Sequence, residues 1–294
     1  MRGESMDITI VRTTNELRAQ VERYKQAGER VGFVPTMGAL HEGHVSLVRL
    51  VKESCDRCVA SVFINPKQFA AHEDLSAYPR DEAGDCAKLA QAGCDLVFAP
   101  SVEIMYPDDF ATEISLTGVS SDLEGASRPH FFGGVATVVA KLFLQVAPHA
   151  AAFGEKDYQQ LLVIKKLVRD LAFPIEIIAG PTVRERDGLA MSSRNAYLSP
   201  QERAAAAAFP AALQTACESL SRGAAIAPTL AQAEAAILQA GFALVDYIAV
   251  RDPVTLAPLP GAVLTRSARL LAAARIGRTR LLDNFPITPQ AAPH

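Results

Sequence analysis

Residues 35–44 read Pro35-Thr36-Met37-Gly38-Ala39-Leu40-His41-Glu42-Gly43-His44. They stand between the apolar run Val31-Gly32-Phe33-Val34 and a segment, Val45-Ser46-Leu47-Val48-Arg49-Leu50, whose apolar residues recur at helical spacing. A strand that hands over to a helix through a glycine-containing turn offers unpaired backbone N–H groups on which polyanionic phosphate can sit. Two histidines three residues apart at the mouth of that helix would then face the phosphates. An imidazole there can donate to oxygens that gain charge during attack at phosphorus. Taken alone, the same stretch also reads as a helix start with two solvent-facing histidines.

Cys55-Asp56-Arg57-Cys58 follows, and with His41 and His44 it makes a superficial two-plus-two zinc set. Cys55 ends the predicted helix and Cys58 opens the next apolar strand, so the four side chains would struggle to converge across several helical turns. Three later stretches carry chemistry of a different kind. Asn65-Pro66-Lys67-Gln68-Phe69, with Asp74-Leu75-Ser76-Ala77-Tyr78-Pro79-Arg80-Asp81 after it, offers uncharged amides suited to the hydroxyl or carboxylate groups of a small polar substrate. A solvated turn is the plain alternative.

Phe153-Gly154-Glu155-Lys156-Asp157-Tyr158-Gln159-Gln160 places a glycine, a lysine and an acid where a strand passes into a helix. Lys156 would reach phosphate oxygens, Asp157 would cap the helix or bind a ribose hydroxyl, and Gln160 would face the same cleft one turn on. Met191-Ser192-Ser193-Arg194-Asn195 offers two hydroxyls and a guanidinium, a donor set matched to polyphosphate or equally a capping turn ahead of the helix beginning near Ser199. The sequence contains neither a Walker motif nor a Gly-x-Gly-x-x-Gly fingerprint at the first turn.

These residues need a scaffold that brings strand ends together. Thr13-Thr14-Asn15-Glu16 has capping-box spacing, and its helix ends near Gly28. Strand-like runs at 31–35, 58–64, 95–99, 151–154 and 175–179 then alternate with helical segments at 44–54, 81–92, 134–147 and 158–171. That order predicts an α/β fold: a doubly wound parallel sheet whose site lies at the carboxyl ends of the strands. Residues 100–133 are irregular, with one short strand candidate at 112–116. Beyond Pro181 the texture changes. Asp187-Gly188 signals a hairpin; an alanine-rich helix runs from Ser199 to Cys217 with a break expected at Pro210. A loop from Gly223 to Pro228, a helix at 229–240 and strands at 245–250 and 268–274 complete the expected elements. The boundary near 180 gives two domains, 1–180 and 181–294.

The chain has 294 residues and a formal net charge of -3, so no basic footprint points to nucleic acid. Five cysteines without framework spacing suit free thiols in a reducing compartment, for which the cytoplasm is the default. No apolar stretch has the length of a membrane span, and Met1-Arg2-Gly3-Glu4-Ser5-Met6-Asp7 lacks the core of a signal peptide.

In this order the motifs resemble the pantothenate synthetase family, ATP-dependent ligases that join pantoate to β-alanine. The shared motifs are Pro-Thr-Met-Gly-x-Leu-His-x-Gly-His, Asn-Pro-x-Gln-Phe, Tyr-Pro-Arg, Glu-Gly-x-x-Arg-Pro, Gly-Glu-Lys-Asp-x-Gln-Gln and Ser-Ser-Arg-Asn, running from Val31 to the final Arg280-Leu281-Leu282-Asp283-Asn284. The resemblance implies a Rossmann-like parallel sheet with helices on both faces and a smaller α+β C-terminal domain that closes over ATP. It also implies a cytoplasmic, Mg2+-dependent homodimer. By it, Gln68 and Gln160 hold pantoate, with Met37, Asn65 and Arg128 beside them. Met37, Gly38, His41, His44, Gly154, Lys156, Asp157, Val183, Met191, Ser192, Ser193 and Arg194 bind ATP, with Asp157 against the ribose. Catalysis falls to His41, His44, Lys156, Ser192, Ser193 and Arg194.

The implied chemistry is attack of the pantoate carboxylate on the α-phosphorus, followed by aminolysis of the adenylate; positioning and charge stabilisation suffice, without a protein nucleophile. Two positions depart from the family pattern. Lys67 stands where an apolar residue is usual, and Arg128-Pro129-His130-Phe131-Phe132 carries its histidine one residue early. A nucleotidyltransferase of the same superfamily and a non-enzymatic nucleotide-binding regulator are the competing readings. AMP formation that needs both acceptors separates them.

Overall fold

A computed structural model of the chain describes residues 8–70 and 75–290. The start of the chain and Asp74 lie outside the described residues. Two compact units emerge, Met1–Glu155 with Gln160–Pro181 and Lys156–Gln159 with Thr182–His294.

The first unit is built on a six-stranded sheet ordered β1-β4-β3-β2-β5-β6, every pairing parallel. Its strands are β1 (Thr9–Val11), β2 (Val31–Thr36), β3 (Arg57–Val62), β4 (Leu96–Phe98), β5 (Ala150–Gly154) and β6 (Glu176–Gly180). The central strands are apolar on both faces, which a parallel sheet needs because crossover helices cover both. Val34, Cys58, Ala60, Val97, Ala150 and Ala152 meet α2 (Glu42–Lys52) and α3 (Glu82–Gln91) on one side. On the other, Phe33 and Phe153 pack edge-on against Phe143 of α6 (Phe131–Val146), which lies beside α1 (Thr14–Gln26). Thr13 caps α1 through the expected capping box. Strand order reverses between β2 and β5, so the turns leaving their carboxyl ends flank the topological switch point where such sheets bind ligands.

One expectation fails in this unit. Residues 112–116 form no strand: the Ile114 N–H donates to Thr137 Oγ1 at 3.0 Å, a side-chain partner in place of a ladder. The irregular stretch instead holds two single-turn helices, α4 (Val102–Met105) and α5 (Glu124–Ser127). Edge strand β1 is an addition to the expected elements, its three residues being too few to show a period. Helix α7 (Tyr158–Asp170) follows β5 and leads to β6.

The second unit packs α8 (Pro200–Ala206), α9 (Ala208–Ser221) and α10 (Ile226–Gln239) with an antiparallel sheet of β7 (Leu244–Arg251), β8 (Ala268–Ile276) and β9 (Thr279–Ile287). Phe209, Leu213, Leu220 and Ile237 meet Leu270, Ala272 and Ala274 in its core. The helix break falls at Ala207, ahead of Pro210. Pro210 occupies the first turn of α9, where its missing N–H has no intrahelical acceptor to lose. For the same reason Pro228 sits inside α10, which begins at Ile226, and the loop expected to reach residue 228 is shorter. Strand β9 is an addition to the expected elements, although Gly277-Arg278 forms the two-residue turn that joins it to β8. The Asp187-Gly188 hairpin is reduced to a tight turn with one bridge, Arg184 to Ala190.

Candidate active site

In the first unit the His41–His44 turn closes on itself. The His41 N–H donates to His44 Nδ1 at 3.3 Å and the Gly43 N–H to His41 Nδ1 at 3.1 Å, while the His44 N–H bonds the His41 carbonyl at 2.8 Å. Each histidine uses Nδ1 as an acceptor, so in the neutral ring the proton sits on Nε2. The two rings lie 4.2 Å apart between centroids. Gly43 is required because a Cβ there would come within 2.9 Å of the His41 ring.

Just upstream, Asp85 of α3 is fully buried and takes the Ala39 N–H at 2.7 Å and the Leu40 N–H at 2.8 Å. Lys88 Nζ donates to the Leu40 carbonyl at 2.8 Å, and the Gly38 N–H bonds Thr36 Oγ1 at 3.2 Å. Ala39 is thereby held at φ 50°, a conformation that costs a non-glycine residue of order 1–3 kcal/mol. The expectation of unpaired backbone N–H groups in this turn is thereby narrowed. The N–H groups of Gly38, Ala39, Leu40, His41, Gly43 and His44 are taken up within the protein, so side chains make up most of the donors this turn can offer a ligand.

Beside this turn, Met37, Asn65, Gln68 and Arg128 interlock. Asn65 Nδ2 donates to Gln68 Oε1 and to the Gly134 carbonyl, both at 3.1 Å; Gln68 Nε2 points to Met37 Sδ at 2.8 Å, and Arg128 Nη2 bonds the Gln68 carbonyl at 3.1 Å. Tyr106, whose hydroxyl burial pushes up and keeps protonated, donates to Asn65 Oδ1 at 2.8 Å. The Lys67 N–H donates to the same oxygen at 3.2 Å, and the two bonds together fix which way the Asn65 amide faces, and through it the Gln68 amide. Gly134 allows the approach: a Cβ there would fall 2.2 Å from the Lys67 carbonyl oxygen. A cleft of about 360 Å³ at the ends of β2, β3 and β4 is lined by Met37, Gly38, Phe63, Arg80 and Asp85 among others.

The Lys67 head is exposed and lies 5.3 Å from the centroids of both Tyr106 and Phe110, a pair that Lys141 also shares. Burial holds the Lys141 ammonium below its ordinary value. His130 is exposed at the start of α6, and its neighbour Phe131 stacks under Arg128 at 3.9 Å. Gly154 ends β5 in register with Gly180, and Gln160 stands half-buried in the first turn of α7.

In the second unit, Lys156, Ser192, Arg194 and Asn195 line one small cavity with Arg280 and Asp283. Lys156 Nζ lies 3.2 Å from the Asp157 carboxylate. Ser192 caps the short helix Ser193–Tyr197 by accepting the Arg194 N–H at 3.3 Å, whereas the helix that begins at Pro200 is capped by Ser199. Met191 bonds back to the Val183 carbonyl at 2.9 Å across the Asp187-Gly188 turn, which places both at the base of the Ser192–Arg194 segment.

All five cysteines are unpaired and buried, with Cys58 inside β3 and Cys55 behind α2. Among the described residues no group of three or more His, Cys, Asp or Glu is placed to hold a metal ion, and no helix is long and apolar enough to cross a membrane. Sequence reasoning missed Asp85, Tyr106 and Asp283. A signal for Asp85 existed: an acid on the apolar face of a predicted helix, four residues before Leu89, must find buried partners.

Residues 9–286 match the family model described as Pantoate-beta-alanine ligase. A protein of Caulobacter vibrioides named pantothenate synthetase is 56% identical over 279 residues, covering 95% of this chain and 98% of that one. The crystal structure of pantothenate synthetase from Thermus thermophilus superposes with a TM-score of 0.90 at 48% identity, covering 96% of this chain and 100% of that one. A pantoate-beta-alanine ligase from Francisella tularensis, crystallised with beta-gamma ATP and beta-alanine, gives 0.80 at 34% identity over 95% of this chain and 97% of that one.

Proposed function

The chain belongs to the pantoate–β-alanine ligase family, joining pantoate to β-alanine with ATP, and we propose that it does so through an enzyme-bound pantoyl adenylate. The observation that carries this reading is the gathering of Lys156, Ser192 and Arg194 around one cavity, two cations and a hydroxyl that complement a polyphosphate.

In the first step a pantoate carboxylate oxygen forms a bond to the α-phosphorus while the bond to pyrophosphate breaks. Charge grows on the phosphate oxygens. His41 and His44 meet it with Nε2–H, and Lys156, Ser192, Ser193 and Arg194 with their own donors. Gln68 and Gln160 hold pantoate with Met37, Asn65 and Arg128 beside them; Met37 and Asn65 fix the Gln68 amide and Arg128 bonds its backbone carbonyl. Asp157 takes the ribose, and Gly38, Gly154, Val183 and Met191 line the nucleotide. In the second step the β-alanine amine attacks the acyl carbon, and AMP leaves with one of pantoate's oxygens.

Mg2+ enters this scheme as part of the substrate MgATP. The donor set fits that role, since Mg2+ at such sites is held chiefly by phosphate oxygens and water rather than by a protein cage. A homodimer and a cytoplasmic location follow the same resemblance; light scattering and cell fractionation test them.

The deciding experiment uses pantoate labelled with oxygen-18 in its carboxylate. One label is expected in AMP. Label in pyrophosphate or phosphate instead would eliminate the adenylate. AMP formation should also require pantoate, and a chain that turned over ATP without it would belong to a different reaction.

A further inference from the structure

Lys156 sits in a single 3-10 turn, Glu155–Asp157, a form whose hydrogen bonding is too weak to fix a backbone by itself. Its position is set from β9. Asn284 is 3% exposed, and each polar group of its amide is used: Arg269 Nε donates to Oδ1 at 2.7 Å, and Nδ2 donates to the Lys156 carbonyl at 2.8 Å. The Arg269 guanidinium in turn stacks on Tyr158 at 3.9 Å, and the Tyr158 hydroxyl donates to the Pro253 carbonyl at 2.8 Å. Both ends of the segment Lys156–Tyr158 are thus tied to the second unit's sheet and its loops.

The neighbouring residue does the same for the other loop of the cavity. Asp283, also 3% exposed, binds Arg184 in a bidentate pair at 2.7 and 2.9 Å, and Arg184 bonds the Gly188 carbonyl across the turn that leads to Met191–Arg194. The Asn284 N–H closes the set on Asp283 Oδ1 at 2.7 Å. Buried amides and charges persist only where such partners are complete, so this cluster has one geometry available to it.

We propose that Asn284 is a positioning residue for adenylation: through Nδ2 it fixes the Lys156 backbone, so that the ammonium is delivered to the ATP phosphates from a set origin. The proposal rests on the phosphate role given to Lys156 above. Asn284→Asp is the selective variant. It keeps the acceptor that Arg269 needs and sets an oxygen against the Lys156 carbonyl where a donor had been.

Asn284→Asp, Lys156→Ala and the double variant are compared in single-turnover adenylation, with pantoate affinity and melting measured on each. Asn284→Asp is expected to slow adenylation about tenfold or more, with pantoate affinity unchanged, and the double variant to be no slower than Lys156→Ala alone. A crippled Lys156→Ala beside an Asn284→Asp enzyme of wild-type rate overturns this proposal and leaves the Lys156 role intact. Additive losses in the double variant overturn it as well. A Lys156→Ala enzyme of wild-type rate removes the Lys156 role and the proposal with it. Should Asn284→Asp melt early, Asn284→Ala, which deletes the donor without adding charge, carries the same cycle.

Discussion

The turn that bears His41 and His44 and the turn that bears Lys156 are fixed by opposite means. In the first, the bonds that orient both imidazoles span two and three residues, and one helix supplies Asp85 to hold the backbone just ahead of them. In the second, the anchor of Lys156 lies 128 residues away and that of Arg184 lies 99 residues away. The difference follows from the groups being placed. An imidazole is short, so its donor is aimed only if the ring itself is held, and a local cap does this. A lysine has four flexible bonds, so what can be fixed is the backbone from which it starts.

The largest effects should fall on chemistry. Lys156→Ala and His44→Ala are each expected to raise the adenylation barrier by about 2–4 kcal/mol. They should part company in stability: His44→Ala also removes the reciprocal half of the capping box at His41, a bond to the His41 N–H worth about 0.5–1.5 kcal/mol, whereas Lys156→Ala leaves its anchored backbone in place. Rapid-quench adenylation and thermal melting read the two separately. Equal melting of the two variants would erase the distinction drawn between the turns.

Asp85→Asn comes next and acts on folding. Its amide would turn an N–H toward Ala39 or Leu40, and the loss of a charge-assisted bond to a backbone donor is expected to cost about 1.5–3 kcal/mol in denaturant unfolding. A variant that unfolds like the wild type would show that the strained Ala39 turn holds itself. Gln68→Ala should be milder, weakening pantoate binding about tenfold, the size of one neutral hydrogen bond, with the adenylation rate at saturation little changed. An unaltered pantoate dependence removes Gln68 from the site.

Lys67→Met is the smallest. The exposed ammonium over Tyr106 and Phe110 is worth about 0.5–1 kcal/mol at most, so activity should stay within a few-fold of wild type. A tenfold loss with unchanged melting would give Lys67 a place in the cleft.

What can be read from the chain follows the same division between near and far. The alternation of apolar strands with periodic helices announces the parallel sheet, because both signals are complete within about ten or fifteen residues. The capping box at Thr13 is legible for the same reason. Proline misleads twice, since Pro210 and Pro228 mark helix starts here and only a fixed helix end tells a start from a break. Strand β9 escapes a reading by pattern, although the residues Arg280 to Asn284 stand out by resemblance.

By itself the sequence determined the class of fold, the family and the inventory of donors and cations, since each is carried by residue types at short spacing. Tertiary structure decided how those residues are used. It showed the Ala39 and Leu40 N–H groups occupied by Asp85, and it brought β9 up behind Lys156. Both decisions are made by buried polar groups whose partners lie far off in the chain. Burial without a partner costs several kcal/mol, so the partner must exist, yet nothing in local spacing says which residue it is.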